Sequence, residues 1–160
     1  MDALFQTQSN ELSTTTQKEK LFKDAERQWN TLSSEKGVPG RKVDFEIYKS
    51  ILYNLEIRKV YLDSKLSLEK FSSIVGTNTT YLSNAVNNYF GCNFKRLINS
   101  YRVARAKELL DGDECPVNEL FSRCGFASKS VFYVAFRKVV GMTPLQYISQ
   151  SRNPFMIQRN

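Results

Sequence analysis

The sequence predicts an all-α protein, and three observations carry the prediction. No stretch alternates apolar and polar residues with period two for long, so strands are not expected. From Val43 onward, apolar residues fall at helical spacing between capping residues and glycine stops. One pattern, a short helix, a glycine turn, a second helix and a glycine stop, occurs twice. Its two copies pair with an offset of 49 in the first helix and 50 after the turn: Phe71 with Leu120, Gly76 with Gly125, Leu82 with Phe132, Val86 with Phe136, Gly91 with Gly141. Two such copies in register read as two helix-turn-helix subdomains joined by a long linker helix.

Residues 1–16 are polar and rich in Ser, Thr and Gln, which predicts disorder. Thr16 and Glu19 then form a capping box for a short amphipathic helix, with Leu21, Ala25, Trp29 and Leu32 on one stripe. That stripe has two readings. It docks on its own domain, or residues 17–32 serve self-association or contact an upstream sensor domain. Gly37, Pro39 and Gly40 mark residues 33–42 as a linker. Residues 1–42 are therefore an N-terminal extension, 43–151 a domain, and 152–160 a tail.

Within the domain, Asp44 is a candidate N-cap for a helix to about Val60, with Tyr48, Ile51, Leu52 and Leu55 inward. Ser67 caps a short helix that Gly76 ends, and Asn78 caps a second that Gly91 stops; this first helix-turn-helix covers about 67–91. Asn93 caps the linker helix, about 93–111. Pro116 opens the second helix-turn-helix, about 116–141, with Gly125 in its turn and Ser128 as the cap. Thr143 and Pro144 open a final helix, about 143–150.

Composition narrows the function. The net charge is +7, unevenly placed: residues 1–40 carry net −1 and residues 41–160 net +8. A basic domain of this size favours a polyanionic partner, nucleic acid first. With no His, the Ser-His-Asp and Cys-His catalytic sets and His-based zinc sites are excluded. There is no glycine-rich phosphate loop and no paired carboxylate cluster, so neither an enzyme nor a cofactor is expected. Cys92, Cys115 and Cys124 are odd in number and form no C-x-x-C, as in a reducing compartment. No apolar run reaches membrane-spanning length, and the N-terminus lacks a signal peptide's basic start and apolar centre. A cytoplasmic protein is expected.

Two blocks, "KVYLDSKLSLEKFSSIVGTNTTYLSNAVNNYFGCNFKRLINSYRVARAKELL" and "GFASKSVFYVAFRKVVGMTPLQY", resemble the DNA-binding domain of the AraC/XylS family of transcription regulators. The resemblance runs from about Ile47 to Ser151, and the second block, ending "GMTPLQY", is its more specific part. It implies that two helix-turn-helix units insert their second helices into neighbouring major grooves of double-stranded DNA. It also implies transcriptional activation as the output, and hence RNA polymerase as a partner. The sequence departs from the family at Phe121, where a small residue is usual, at Val134, where Arg or Lys is common, and at Tyr133, where a smaller residue is usual. Residues 1–42 contain no recognisable sensor domain.

The stretch "NTTYLSNAVNNYFG" is built unlike a solvent face. Leu82, Ala85, Val86 and Tyr89 face inward, while the outer face carries short, uncharged hydrogen-bonding side chains that form helices poorly. Such side chains match the donors and acceptors of base edges. Thr79, Thr80, Ser83, Asn84 and Asn87 are the first candidate base-reading face. The repeat offset gives the second as Lys129, Ser130, Val131 and Val134, with Tyr133 at its edge; the alternative for the two Val is packing in the core. Lys95, Arg96, Arg102, Arg137 and Lys138 are candidate phosphate contacts. For Arg102, as for Arg105, the alternative is a brace of the linker helix through local ion pairs. A competing reading of the whole chain is an all-α protein-interaction module whose basic face meets an acidic partner.

Overall fold

The computed structural model describes residues 2–36 and 42–152. Among them every regular element is helical: α1 Asp2–Lys36, α2 Lys42–Leu52, α3 Leu68–Val75, α4 Thr79–Phe90, α5 Phe94–Asp111, α6 Leu120–Arg123, α7 Lys129–Val140 and α8 Pro144–Arg152. A π-helical turn, Tyr53–Ile57, continues α2, and 3-10 turns occupy Val60–Leu62 and Val117–Glu119. The linker glycines at 37 and 40 and the tail from 153 lie outside the described residues. The chain divides into two compact units, residues 1–60 with 67–93, and residues 61–66 with 94–160.

In the first unit, α1 departs most from expectation. It is one helix of 35 residues, so the disorder expected for residues 1–16 is corrected for residues 2–16, and the expected short helix is part of a long one; residue 1 lies outside the described residues. Thr16 lies inside α1 and caps nothing at its start. A capping box acts only where a helix begins, and here the backbone is already helical when it reaches Thr16. The stripe docks on its own unit. Ala25 and Trp29 are buried with Tyr48 and Leu52 of α2, and Leu21, Phe45, Tyr89 and Phe90 pack around them. The Trp29 ring lies 4.6 Å from Tyr89 and 5.6 Å from both Phe45 and Tyr48. The Tyr48 hydroxyl donates to Gln28 Oε1 at 2.8 Å, and burial holds its pKa above the ordinary value.

The helix expected to run to Val60 loses its α geometry after Leu52. Asn54 is buried, and its Nδ2 donates to the Ser50 carbonyl at 2.8 Å while its Oδ1 accepts from Arg58 at 3.2 Å. A side chain that takes a backbone acceptor competes with the ladder, and the ladder widens here: Arg58 N–H reaches back five residues to Tyr53 O. Asp44 is also no N-cap; it sits in the first turn of a helix that starts at Lys42, where a carboxylate favours the positive end of the dipole.

The second unit is centred on Val103, Ala106 and Leu109 of α5, Leu120 of α6, and Phe132, Ala135 and Phe136 of α7, with Cys115, Cys124 and Phe126 completing the core. Phe121 is half-buried against this core, which accommodates its bulk. The helix expected to open at Pro116 is instead a 3-10 turn followed by the single α turn of α6, with Pro116 extended just before it. α8 is tied back by Tyr147, whose hydroxyl donates to Asp111 at 2.8 Å, and by the Arg152–Asp113 ion pair at 2.8 Å.

Candidate nucleic-acid interface

The two units build their turns from the same bonds. In the first, Gly76 closes α3 in the left-handed conformation at φ +85°, and the Thr77 amide donates to Ser72 O, five residues back. In the second, Gly125 takes φ +85° and the Phe126 amide donates to Phe121 O, again five residues back. This six-to-one bond past a left-handed residue satisfies a carbonyl at the helix end and reverses the chain. The next helix is then started by a side chain. Asn78 Oδ1 accepts from Tyr81 N at 2.8 Å, and Ser128 Oγ accepts from Val131 N at 3.3 Å. Gly91 and Gly141, both left-handed, stop α4 and α7 at equal length.

The surroundings of the two turns differ. A Cβ on Gly76 would meet nothing within 4 Å. A Cβ on Gly125 would lie 2.3 Å from the Tyr61 carbonyl oxygen and 2.8 Å from Leu62 Cα. The segment at 61–63 is held there by Arg102. Its Nε donates to Tyr61 O at 2.7 Å and its Nη2 to Asp63 O at 2.9 Å, and its guanidinium lies over the Phe126 ring at 5.6 Å. Burial lowers the Arg102 pKa, and Asp63 pulls it back up. Arg102 thus serves as a brace, the alternative to a phosphate contact, though through carbonyls rather than an ion pair. Arg105 pairs locally with Glu108 at 2.9 Å, and that hydrogen bond raises its pKa.

On α4, Leu82, Ala85 and Val86 are buried, so the opposite face is turned out. Thr80, Asn84 and Asn87 are exposed, and Thr79 and Ser83 are half-buried at the edge of that face. On α7, burial of Phe132, Ala135 and Phe136 turns out Lys129, Ser130, Val131 and Val134. Val131 is 50% exposed and Val134 70%, so core packing, the alternative for both, is excluded within this fold. Tyr133 is half-buried against the core, and the Lys129 ammonium lies 5.7 Å from its ring centre. Arg137 and Lys138 are exposed in the last turn of α7 and pair with no carboxylate among the described residues. Lys95 and Arg96 are exposed in the first turn of α5. Sequence reasoning passed over Tyr81, which is 46% exposed. The offset of 50 carried the signal, since it maps Tyr81 onto Val131.

Among the described residues no group of Cys, Asp and Glu is placed to hold a metal ion. No helix of the described residues is long and apolar enough to cross a membrane. Cys124 is fully buried, and burial pushes its thiol up to about 12.

Residues 71–150 match a family described as a helix-turn-helix domain, which is half of the chain. Over 91 residues the chain is 32% identical to the HTH-type transcriptional activator RhaR of Enterobacter sp. (strain 638), covering 57% of this chain and 32% of that protein. The C-terminal domain of AraT, a response regulator from Geobacillus stearothermophilus, superposes with a TM-score of 0.58 at 30% identity, covering 66% of this chain and 84% of that one. The chain belongs to the AraC-type helix-turn-helix family. As an AraC-type chain it carries the DNA-binding domain of a transcription regulator. The AraC-type fold is found again, at 20% identity and a TM-score of 0.59, in the DNA-binding domain of AdpA, determined in complex with a target DNA. The chain matches about a third of the length of RhaR, so the AraC-type domain is the part the two share.

Proposed function

We propose that the protein is a cytoplasmic, sequence-specific regulator that binds double-stranded DNA and activates transcription. α4 and α7 are its reading helices, set in two successive major grooves. The observation that carries this reading is the duplicated turn and cap, each delivering a helix with an outward face: short polar side chains on α4, and cations with two exposed valines on α7. Thr79, Thr80, Ser83, Asn84 and Asn87 read one half-site, and Lys129, Ser130, Val131, Tyr133 and Val134 the other. Lys95, Arg96, Arg137 and Lys138 hold phosphates, with the amides at the helix starts. The name of the Enterobacter relative supports activation, and with it RNA polymerase as a partner.

The experiment is selection of bound duplexes from a random pool, followed by transcription of a template carrying the selected site. Enrichment of a two-part site, its halves about one helical turn or 10–10.5 bp apart, is expected. Stimulated transcription with RNA polymerase is the expected output. No enrichment, together with tight binding to an acidic protein or peptide, would instead establish the interaction module.

A further inference from the structure

α4 and α7 have matching frames but different outward chemistry. By the offset of 50, Thr80, Tyr81, Asn84, Asn87 and Asn88 of α4 correspond to Ser130, Val131, Val134, Arg137 and Lys138 of α7. The α4 sequence, TTYLSNAVNNYF, contains no charge, and its face consists of hydroxyls and carboxamides beside the half-exposed ring of Tyr81. The α7 sequence, KSVFYVAFRKVV, contains three cations and no acid. In the middle of its exposed face stand two isopropyl groups, 50% and 70% exposed.

We propose that α7 reads thymine through its 5-methyl groups, with Val131 and Val134 as the specificity-determining side chains. The inference rests on the DNA-binding reading above and names what the second half-site must contain. An isopropyl group has no donor or acceptor, so it gains nothing from most base edges. The thymine 5-methyl is the one apolar group that the four ordinary bases present in the major groove. Val131 and Val134 are three residues apart and so adjacent on the helix surface. They can cover methyls on neighbouring base pairs. Ser130, a further base-reading side chain, lies on the N-terminal side, and Arg137 and Lys138, the phosphate groups, follow on the C-terminal side. Arg137 and Lys138 border the patch on its C-terminal side, where one further valine of α7, Val139, is 48% exposed.

The test uses the 160-residue chain and the duplex enriched from the random pool, made once with thymine and once with uracil, position by position. Uracil lacks only the 5-methyl. Each contacted methyl is expected to change affinity about fourfold, from the transfer free energy of one methyl-sized group. Thr79 and Thr80 of α4 also carry methyls, so a variant must assign the effect. Val131→Ala with Val134→Ala removes both isopropyl groups from exposed positions and should fold. It should lose the thymine–uracil difference in one half-site and keep any difference in the other. Wild-type binding that is equal for thymine and uracil in both half-sites overturns the inference and leaves the DNA reading standing. A double variant that keeps the full difference in both half-sites also overturns it. Failure to bind any duplex would overturn the DNA reading, and this inference with it.

Discussion

The turns make a sharp prediction, because two glycines with the same backbone conformation face different surroundings. Gly76→Ala and Gly125→Ala both place a Cβ on a residue at φ +85°. That alone costs about 1–2 kcal/mol. At Gly76 nothing else is added, because a Cβ there meets no atom within 4 Å. At Gly125 the Cβ would stand 2.3 Å from the Tyr61 carbonyl oxygen. An ordinary C···O contact is about 3.3 Å, so one backbone must move by about 1 Å. The segment at 61–63 cannot yield freely, since Arg102 holds the Tyr61 and Asp63 carbonyls. Overpacking of this kind adds about 1–3 kcal/mol, for a total of about 2–5. At roughly 2–4 °C per kcal/mol for a chain of this size, thermal melts followed by far-ultraviolet circular dichroism separate the two variants. A third variant isolates the causes. Asn tolerates the left-handed region, so Gly76→Asn should recover most of the loss, while Gly125→Asn should recover little. Equal losses at the two glycines, or full rescue by Gly125→Asn, would refute the close approach of segment 61–63 to the second turn.

Five further outcomes are expected. Asn84→Ala should weaken binding to the selected duplex by about 1–3 kcal/mol and relax preference in one half-site, leaving random duplex nearly unaffected; titration by fluorescence anisotropy measures both. Arg137→Ala should weaken all sequences alike and reduce the salt slope by about one. With four phosphates held by Lys95, Arg96, Arg137 and Lys138, wild-type affinity should fall about a hundredfold between about 50 and 200 mM salt, and a flat response would argue against DNA. Trp29→Ala should destabilise the first unit by about 3–5 kcal/mol in urea melts, since it empties a buried aromatic site. The Cys124 thiol is held at about 12 against an ordinary value near 9. A raised thiol pKa means the stabilisation is complete below pH 9 and is lost as pH rises toward 12. Stability should fall across that window at up to about 1.4 kcal/mol per pH unit, and Cys124→Ala should flatten the fall.

Legibility in the sequence followed the locality of the cause. Ser67, Asn78 and Ser128 as caps and Gly76, Gly91 and Gly141 as stops were readable because each acts within a few residues. The exposed faces of α4 and α7 were readable because a 3.6-residue period divides each helix into a buried and an outward side. The π turn after Leu52 was not, because it depends on the burial of Asn54, and burial is set by the packing of the whole unit. The role of Arg102 was open for the same reason: its acceptors, the carbonyls of Tyr61 and Asp63, lie about 40 positions earlier in the chain. α1 was misread in a different way. Thr and Ser lower helix propensity only weakly, so a polar run such as residues 6–16 reads as a loop yet remains compatible with a helix.

The unequal charge of α4 and α7 bears on how a two-part site would be recognised. Phosphate attraction acts on any sequence, and it is carried by cations. α4 has none, while α7 has three. Encounter and non-specific holding should therefore fall to the second unit, through Arg137 and Lys138. The first unit should discriminate, because carboxamides gain little from DNA until they face the right base edge. The order follows from the physics: a cationic helix is drawn from a distance of about one Debye length, roughly 8–10 Å, and an uncharged one is not. Changes in the α4 half-site should then act mostly on dissociation, and removal of cations from α7 mostly on association. Stopped-flow measurement of both rates decides it. If Asn84→Ala slows association as much as Arg137→Ala does, the two helices share both tasks and this division is wrong.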